Sequence, residues 1–415
     1  MRQLFTGRRA RVAAGLLVGE FTAATQALVI ATIMPRIAAD LHGYALYGVT
    51  IGALLVASAV GMAFAGPLAD RFGTRRILGV AFALVGIGLL ASSLAHSMPQ
   101  LAAARALEGL GGGLDYAASF AAIAKHFEEE QRARMFAWLS AMWVVPALVA
   151  PSAGALIANS FGWRYAFAAF IPLVALAAAL VLPALGALDE RVRDDADALA
   201  ALRLLFSRAT FALRGTRHAA FVAFALLDAA FFGADAYVTL ALTTAGRLSL
   251  GLAGLCVTLG ALGWSAASAV QPTLYARYGA RRVVLGGAAC LASAALGMMA
   301  VASHAWVALA FPAWLLGGAG IGLTYPTLTL ASLADADEGS EGAISSAMLL
   351  AGTIGMAAGV LACGIPVSLA AHASGQLDRA LVASFALALV AALGLGAIAL
   401  LRLPRSANQR SKIAS

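Results

Sequence analysis

The sequence predicts an all-α membrane protein in which 12 transmembrane helices form two pseudo-symmetric six-helix bundles. Three observations lead there. The chain of 415 residues is 62% hydrophobic and only 12% charged, whereas soluble domains are about 45–50% apolar. Its apolar residues gather in twelve runs, each close to the roughly 20 residues that carry a helix across a bilayer. A turn also recurs half a chain apart. Gly66-Pro67-Leu68-Ala69-Asp70-Arg71-Phe72-Gly73-Thr74-Arg75-Arg76 is echoed by Pro272-Thr273-Leu274-Tyr275-Ala276-Arg277-Tyr278-Gly279-Ala280-Arg281-Arg282, and Arg277 lies 206 residues after Arg71. A long-range repeat of a turn, with apolar runs on both sides, means duplicated halves.

Residues 1–11 form a basic leader before the first apolar run, 12–34. That run is too long for a signal peptide, carries Glu20, and lacks a clear small-residue cleavage site, so it reads as an uncleaved span 1. Spans 2 to 6 follow at about 45–68, 76–96, 99–124, 134–158 and 163–187. Gly66 and Gly73 are expected to supply the positive φ of the tight turn between spans 2 and 3. Pro146, Pro151 and Pro172 interrupt apolar runs, which bundles tolerate when neighbours satisfy the freed carbonyls.

Residues 188–217 are the one substantial polar segment and the natural boundary between halves. The resulting division is a bundle at 1–187, a linker at 188–217, a second bundle at 218–403 and a tail at 404–415. Leu199, Leu202, Leu205 and Phe206 recur at helical spacing beside Arg203 and Arg208, so the linker is either partly an interfacial helix or simply solvated. Spans 7 to 12 are expected near 218–243, 247–270, 283–303, 305–333, 342–370 and 377–401. The acidic loop 335–341 leads into span 11, where negative charge at a helix N-terminus is favourable. Gly109-x-x-x-Gly113 in span 4 matches Gly318-x-x-x-Gly322 in span 10, a spacing that lets helices approach closely.

Charge distribution sets the orientation. Most of the 28 basic residues fall on one set of loops, while only Arg36, Arg164, Arg247 and Arg379 fall on the opposite face. By the positive-inside rule both termini lie in the cytoplasm, at a plasma membrane of the bacterial inner-membrane kind. The net charge of +8 is thereby accounted for without nucleic-acid binding. Cys256, Cys290 and Cys363 lie inside apolar runs and read as small buried hydrophobes.

Ionisable groups inside the hydrocarbon each cost a few kcal/mol unless paired or wet, which makes them the candidates for function. They are Glu20, Glu108, Asp115, Asp228 and Asp235, against one base, Arg105. Such a core favours protons and cations over anions. Arg105, Glu108 and Asp115 share one face of span 4, and Asp228 and Asp235 one face of span 7. Each face is expected to line a water-filled cavity between the halves. A carboxylate removed from water favours its neutral form, so it can take a proton and release it when exposed. Structural readings stand beside these: a static Arg105–Glu108 pair, hydrogen-bonded aspartates, and a Glu20 that snorkels to the interface. Phe21, Tyr116, Phe224, Phe231, Phe232 and Tyr237 either stack on a lipophilic cation or pack.

No enzyme signature is present. The six histidines lie at loop edges or helix ends without metal-ligand spacing, and the Gly-rich runs lack the Lys-Ser/Thr of a phosphate loop. No cofactor, metal or obligate protein partner is implied; the partners are the lipid bilayer, protons and a small-molecule substrate.

These residues resemble the major facilitator superfamily, and within it the 12-helix drug:proton antiporters. Gly66, Leu68, Asp70, Arg71, Gly73 and Arg75 match that family's loop between spans 2 and 3, with Thr74 at a position that is usually basic. Residues 29–35 and 37–41 resemble its first helix, with Gln26 in place of a frequent acid. Arg105, Gly109 and Gly111 match its span 4 motif, with Glu108 replacing Gln. Pro151 and Gly154 fit the antiporter motif of span 5, while Pro146, Ala150 and Ala155 replace expected glycines. Gly162-Trp163-Arg164 matches the outer turn before span 6.

The resemblance implies that Asp70 and Arg71 form a cytoplasmic gate latch, with Asp70 near the start of span 11. It also implies that Arg105 tunes a nearby carboxylate, and that the halves rock in alternating access. The reading is a proton-coupled exporter of lipophilic cationic or neutral compounds. The alternatives are a proton-coupled importer of a small metabolite and a non-transporting receptor or lipid-handling protein.

Overall fold

Within a bilayer every backbone N–H and C=O needs an internal partner, so apolar runs of this length become helices. A computed structural model describes residues 7–186, 200–333, 341–371 and 376–404, and no strand occurs among them. The chain divides into two compact units, Met1–Leu199 and Ala200–Ser415.

In the first unit the helices are α1 (Gly7–Asp40), α2 (Tyr47–Phe72), α3 (Thr74–Ser93), α4 (Met98–His126), α5 (Glu129–Ala141), α6 (Val144–Ser160), α7 (Trp163–Ala168) and α8 (Ile171–Leu185). The second contains α9 (Ala200–Leu205), α10 (Arg208–Phe211), α11 (Gly215–Thr244), α12 (Leu250–Ala302), α13 (Ala310–Leu333), α14 (Glu341–Ala370) and α15 (Leu377–Arg402). α12 is two helices, 250–278 and 280–302, meeting at Gly279. Twelve spans result among the described residues, because α5 with α6 and α7 with α8 each form one broken span. These are six per unit, in the same order.

The turn between spans 2 and 3 is tighter than expected. Gly66 is helical, Pro67 lies inside α2, and the whole reversal falls on Gly73, with φ 86° and ψ 142°. Its repeat does the same: Pro272 is helical and Gly279 alone turns, with φ 76° and ψ 167°. A single left-handed glycine suffices because α3 restarts at once, so the positive φ expected of Gly66 is not required. For the same reason span 8 runs through Pro272 to residue 278 instead of ending near 270.

Proline also explains the two broken spans, which the sequence reading took as continuous. Pro146 has no N–H for the Met142 carbonyl and Pro172 none for that of Ala168, and the helices part at 142–143 and 169–170. Trp143 sits in the first of these breaks.

Matched glycines hold each unit together. A Cβ on Gly109 or Gly113 would collide with the backbone of Leu54 or Ser58 in α2, and one on Gly318 or Gly322 with that of Gly260 or Trp264 in the first arm of α12. Spans 2 and 4 thus pack as spans 8 and 10 do. Gly154 of α6 packs on Val29 of α1. Cys256 and Cys363 are buried, while Cys290 is only half-buried.

α9 packs against α14, with Leu205 buried and Phe206 exposed. Residues 188–199 of the linker and 335–340 of the acidic loop lie outside the described residues, as do 1–6, 187, 334, 372–375 and 405–415.

Candidate functional site

In the first unit Arg105 and Glu108 stand one turn apart on α4, and Arg105 Nη1 donates to Glu108 Oε2 at 2.7 Å. Their side chains are 7% and 3% exposed. The guanidinium lies 5.9 Å from the centre of the Phe167 ring. Gly88 of α3 makes room for Glu108, since a Cβ there would stand 2.7 Å from the Glu108 Cβ. Each charge of this pair is therefore satisfied within the helix that carries it.

Asp115, two turns further along α4, is half-buried. Its Oδ1 accepts a hydrogen bond from Ser119 Oγ at 3.1 Å, and its Oδ2 faces Gly19 of α1, where an added Cβ would lie 3.7 Å away. Its charged neighbour is Glu20, not Arg105. Glu20 Oε1 accepts a hydrogen bond of 2.6 Å from Trp143 Nε1, an indole at the break in span 5. Gln26, two turns on in α1, is buried, and its Nε2 has no hydrogen-bond partner among the described residues.

The second unit carries Asp228 and Asp235 on α11. Asp228 is 4% exposed, and its Oδ1 has no hydrogen-bond partner among the described residues. The carboxylate packs against the backbone of Gly352 in α14, with Tyr325 of α13 in electrostatic reach. Tyr325 in turn packs on Phe224, ring centres 4.6 Å apart. Asp235 is half-buried beside the Trp314 indole, whose N–H closes no hydrogen bond of ordinary geometry among the described residues. Phe231 stacks on Trp314 at 5.4 Å and meets Trp264 edge-on at 5.8 Å. Tyr237 is a different case: fully buried, it donates to the Val360 carbonyl at 2.9 Å and ties α11 to α14.

Each unit thus presents two carboxylates, Glu20 with Asp115 and Asp228 with Asp235, that have no basic partner among the described residues. The sequence reading missed Trp143, Ser119, Gly352, Tyr325 and Trp314 as their neighbours. Scarcity was the available signal, since tryptophan occurs only six times in the chain.

Among the gate-motif residues, Asp70 and Arg71 are exposed at the end of α2, and Arg71 lies 5.2 Å from the centre of the Phe72 ring. Arg75 folds against Gly186 after α8, where an added Cβ would stand 2.8 Å from its guanidinium. The acidic segment expected near Asp70 lies, except for Glu341 at the start of α14, outside the described residues. Pro151 and Gly154 are buried in α6. One cavity of about 260 Å³ lies around Arg36 and Trp163, and another of about 120 Å³ around Tyr278 and Arg282.

Comparison with known proteins agrees with this architecture. The sequence pattern of the Major Facilitator Superfamily matches residues 16–360. Multidrug resistance protein 3 of Bacillus subtilis is 32% identical over 167 residues, 40% of this chain and 32% of that protein. A probable multidrug-efflux transporter of Mycobacterium tuberculosis is 35% identical over 164 residues, 40% of this chain and 35% of its own. Multidrug resistance protein MdtL of Escherichia coli is 30% identical over 174 residues, 40% of this chain and 44% of its own. These matches span between about a third and under half of the relatives' lengths. In three dimensions the chain is similar to a bacterial homologue of the human lysosomal transporter Spinster, at TM-score 0.71 and 15% identity over 95% of this chain and 98% of that one. The nucleoside transporter NupG gives TM-score 0.71 at 12% identity over 93% and 99%.

Proposed function

The chain belongs to the Major Facilitator Superfamily, and on that premise we propose that it is a proton-coupled exporter of lipophilic cationic or neutral compounds. It is a multi-pass membrane transporter and not an enzyme. The observation that carries the finer reading is the excess of intramembrane carboxylate: after Arg105 is matched to Glu108, four acids remain that have no basic partner among the described residues. An unpaired charge in hydrocarbon is costly, so each such acid is stable as a neutral acid in a dry environment and as a carboxylate in a wet one. Alternation between the two environments moves a proton. Substrate cations compete for the same carboxylates, and the half-buried rings of Phe232 and Trp264 suit a flat apolar body.

In this reading Asp115 and Glu20 form the proton site of the first half, and Asp228 and Asp235 that of the second. Asp70, Arg71, Gly73 and Arg75 shape a gate on the cytoplasmic side, Arg105 with Glu108 braces span 4, and Pro151 with Gly154 seats span 5 on span 1. Residues 188–217 link the bundles, and the loop charges support cytoplasmic termini. The multidrug names of the partial relatives support the export direction.

The test is proton movement in inside-out vesicles carrying an imposed pH gradient. Adding lipophilic cations should collapse the gradient with the wild type and leave it intact with Asp115→Asn. Collapse only with sugars, acids or amino acids would promote an importer instead.

A further inference from the structure

The larger cavity lies where the far ends of spans 1 and 6 meet, at the membrane edge opposite the N-terminal end of α1. Asp40 is the last residue of α1, and Trp163 and Arg164 open α7 after Gly162, whose φ of 96° turns the chain there. Asp40 Oδ2 accepts hydrogen bonds from Trp163 Nε1 at 2.8 Å and from Arg164 Nη1 at 3.4 Å. Arg164 is pinned further, donating through Nη2 to the Ala95 carbonyl at 3.0 Å and lying 4.3 Å from the centre of the Trp163 ring. Asp40 thus has a fixed position, yet its side chain remains 47% exposed.

Arg36 differs. One turn before Asp40 on α1, it is exposed and within electrostatic reach of that carboxylate, but closes no ion pair among the described residues. It lines the same cavity of about 260 Å³. Phe161 and Tyr165, 70% and 62% exposed, form the rim. Exposed aromatics at the end of a span belong at the headgroup level of a bilayer. The pocket therefore offers an available guanidinium, a carboxylate held a helical turn away, and an apolar rim facing lipid.

We propose that this pocket binds the headgroup of an amino phospholipid, a phosphodiester carrying a primary ammonium. The Arg36 fork takes two phosphate oxygens, a geometry guanidinium suits better than ammonium. The lipid ammonium donates to the remaining lone pairs of Asp40, and the acyl chains run past Phe161 and Tyr165. Two arginines against one aspartate leave the pocket net positive, which favours the phosphate. A purely structural latch between the span ends is already closed by Asp40, Trp163 and Arg164, and Arg36 adds to it only at a distance.

The experiment is native mass spectrometry of the purified full chain, delipidated and then titrated with phosphatidylethanolamine or phosphatidylcholine of the same acyl composition. The ethanolamine lipid should be retained about tenfold better, because a trimethylated ammonium cannot donate hydrogen bonds to Asp40. Arg36→Gln should cut its retention about tenfold, and Arg36→Lys less, since lysine keeps the charge without the fork. Asp40→Asn should erase the preference between the two lipids; if that variant misfolds, the Arg36 pair decides alone. Water-soluble glycerophosphoethanolamine in excess should fail to displace the lipid. Equal retention of both lipids by the wild type, no change with Arg36→Gln, or displacement by the soluble headgroup would each overturn the proposal.

Discussion

Arg105 and Glu108 are the charged residues whose partnership could be read directly from their spacing, one helical turn apart. Their separation from water makes the pair informative. Breaking a buried ion pair by removing one partner costs about 3–5 kcal/mol, whereas replacing both with apolar groups of similar volume is often neutral. Arg105→Met or Glu108→Leu alone should therefore destabilise the purified protein by that order, and the double variant should recover most of the loss in thermal unfolding. A double variant as unstable as the two losses summed would contradict a self-contained pair. By contrast, the partners of Glu20 and Asp40 could not be read, because Trp143 and Trp163 lie 123 residues away in sequence. Periodicity places a residue on a face of its own helix; it does not identify which side chain of another helix meets it.

At the level of helices, adjacent glycines in α4 provide a sharp contrast. Gly113 lies against the Ser58 carbonyl of α2, while Gly112 has open space where its Cβ would be. Gly113→Ala should lower stability by about 1–3 kcal/mol through overpacking. Gly112→Ala should be neutral or stabilise by about 0.5–1 kcal/mol, the helical advantage of alanine over glycine. Thermal unfolding of the two variants side by side checks this, and equal shifts would mean that α2 and α4 are not in backbone contact. Such packing was legible in outline, since the same spacing recurs at Gly318 and Gly322. The breaks in spans 5 and 6 were not. A proline inside an apolar run is compatible with a continuous helix, as Pro35 and Pro67 demonstrate, or with a parted one, as at Pro146. Which outcome occurs depends on neighbours that can take the freed carbonyl.

For the molecule as a whole, twelve apolar runs and a turn repeated after 206 residues were enough to define two six-span halves. The recurrence of a left-handed glycine at 73 and 279 extends that duplication to backbone geometry. Chemistry was less legible than fold, because a carboxylate in a span announces a site without naming what it binds. On the proposed reading, inward movement of protons through this chain drives outward movement of lipophilic cations. Its most direct test uses the purified protein in liposomes with a controlled pH gradient and a fluorescent lipophilic cation, comparing the wild type with Asp115→Asn and Asp228→Asn. The wild type should accumulate the cation in the more acidic compartment, and both variants should reduce this to the level of protein-free liposomes. Accumulation in the more alkaline compartment, in step with the protons, or wild-type transport no different from protein-free liposomes, would contradict it.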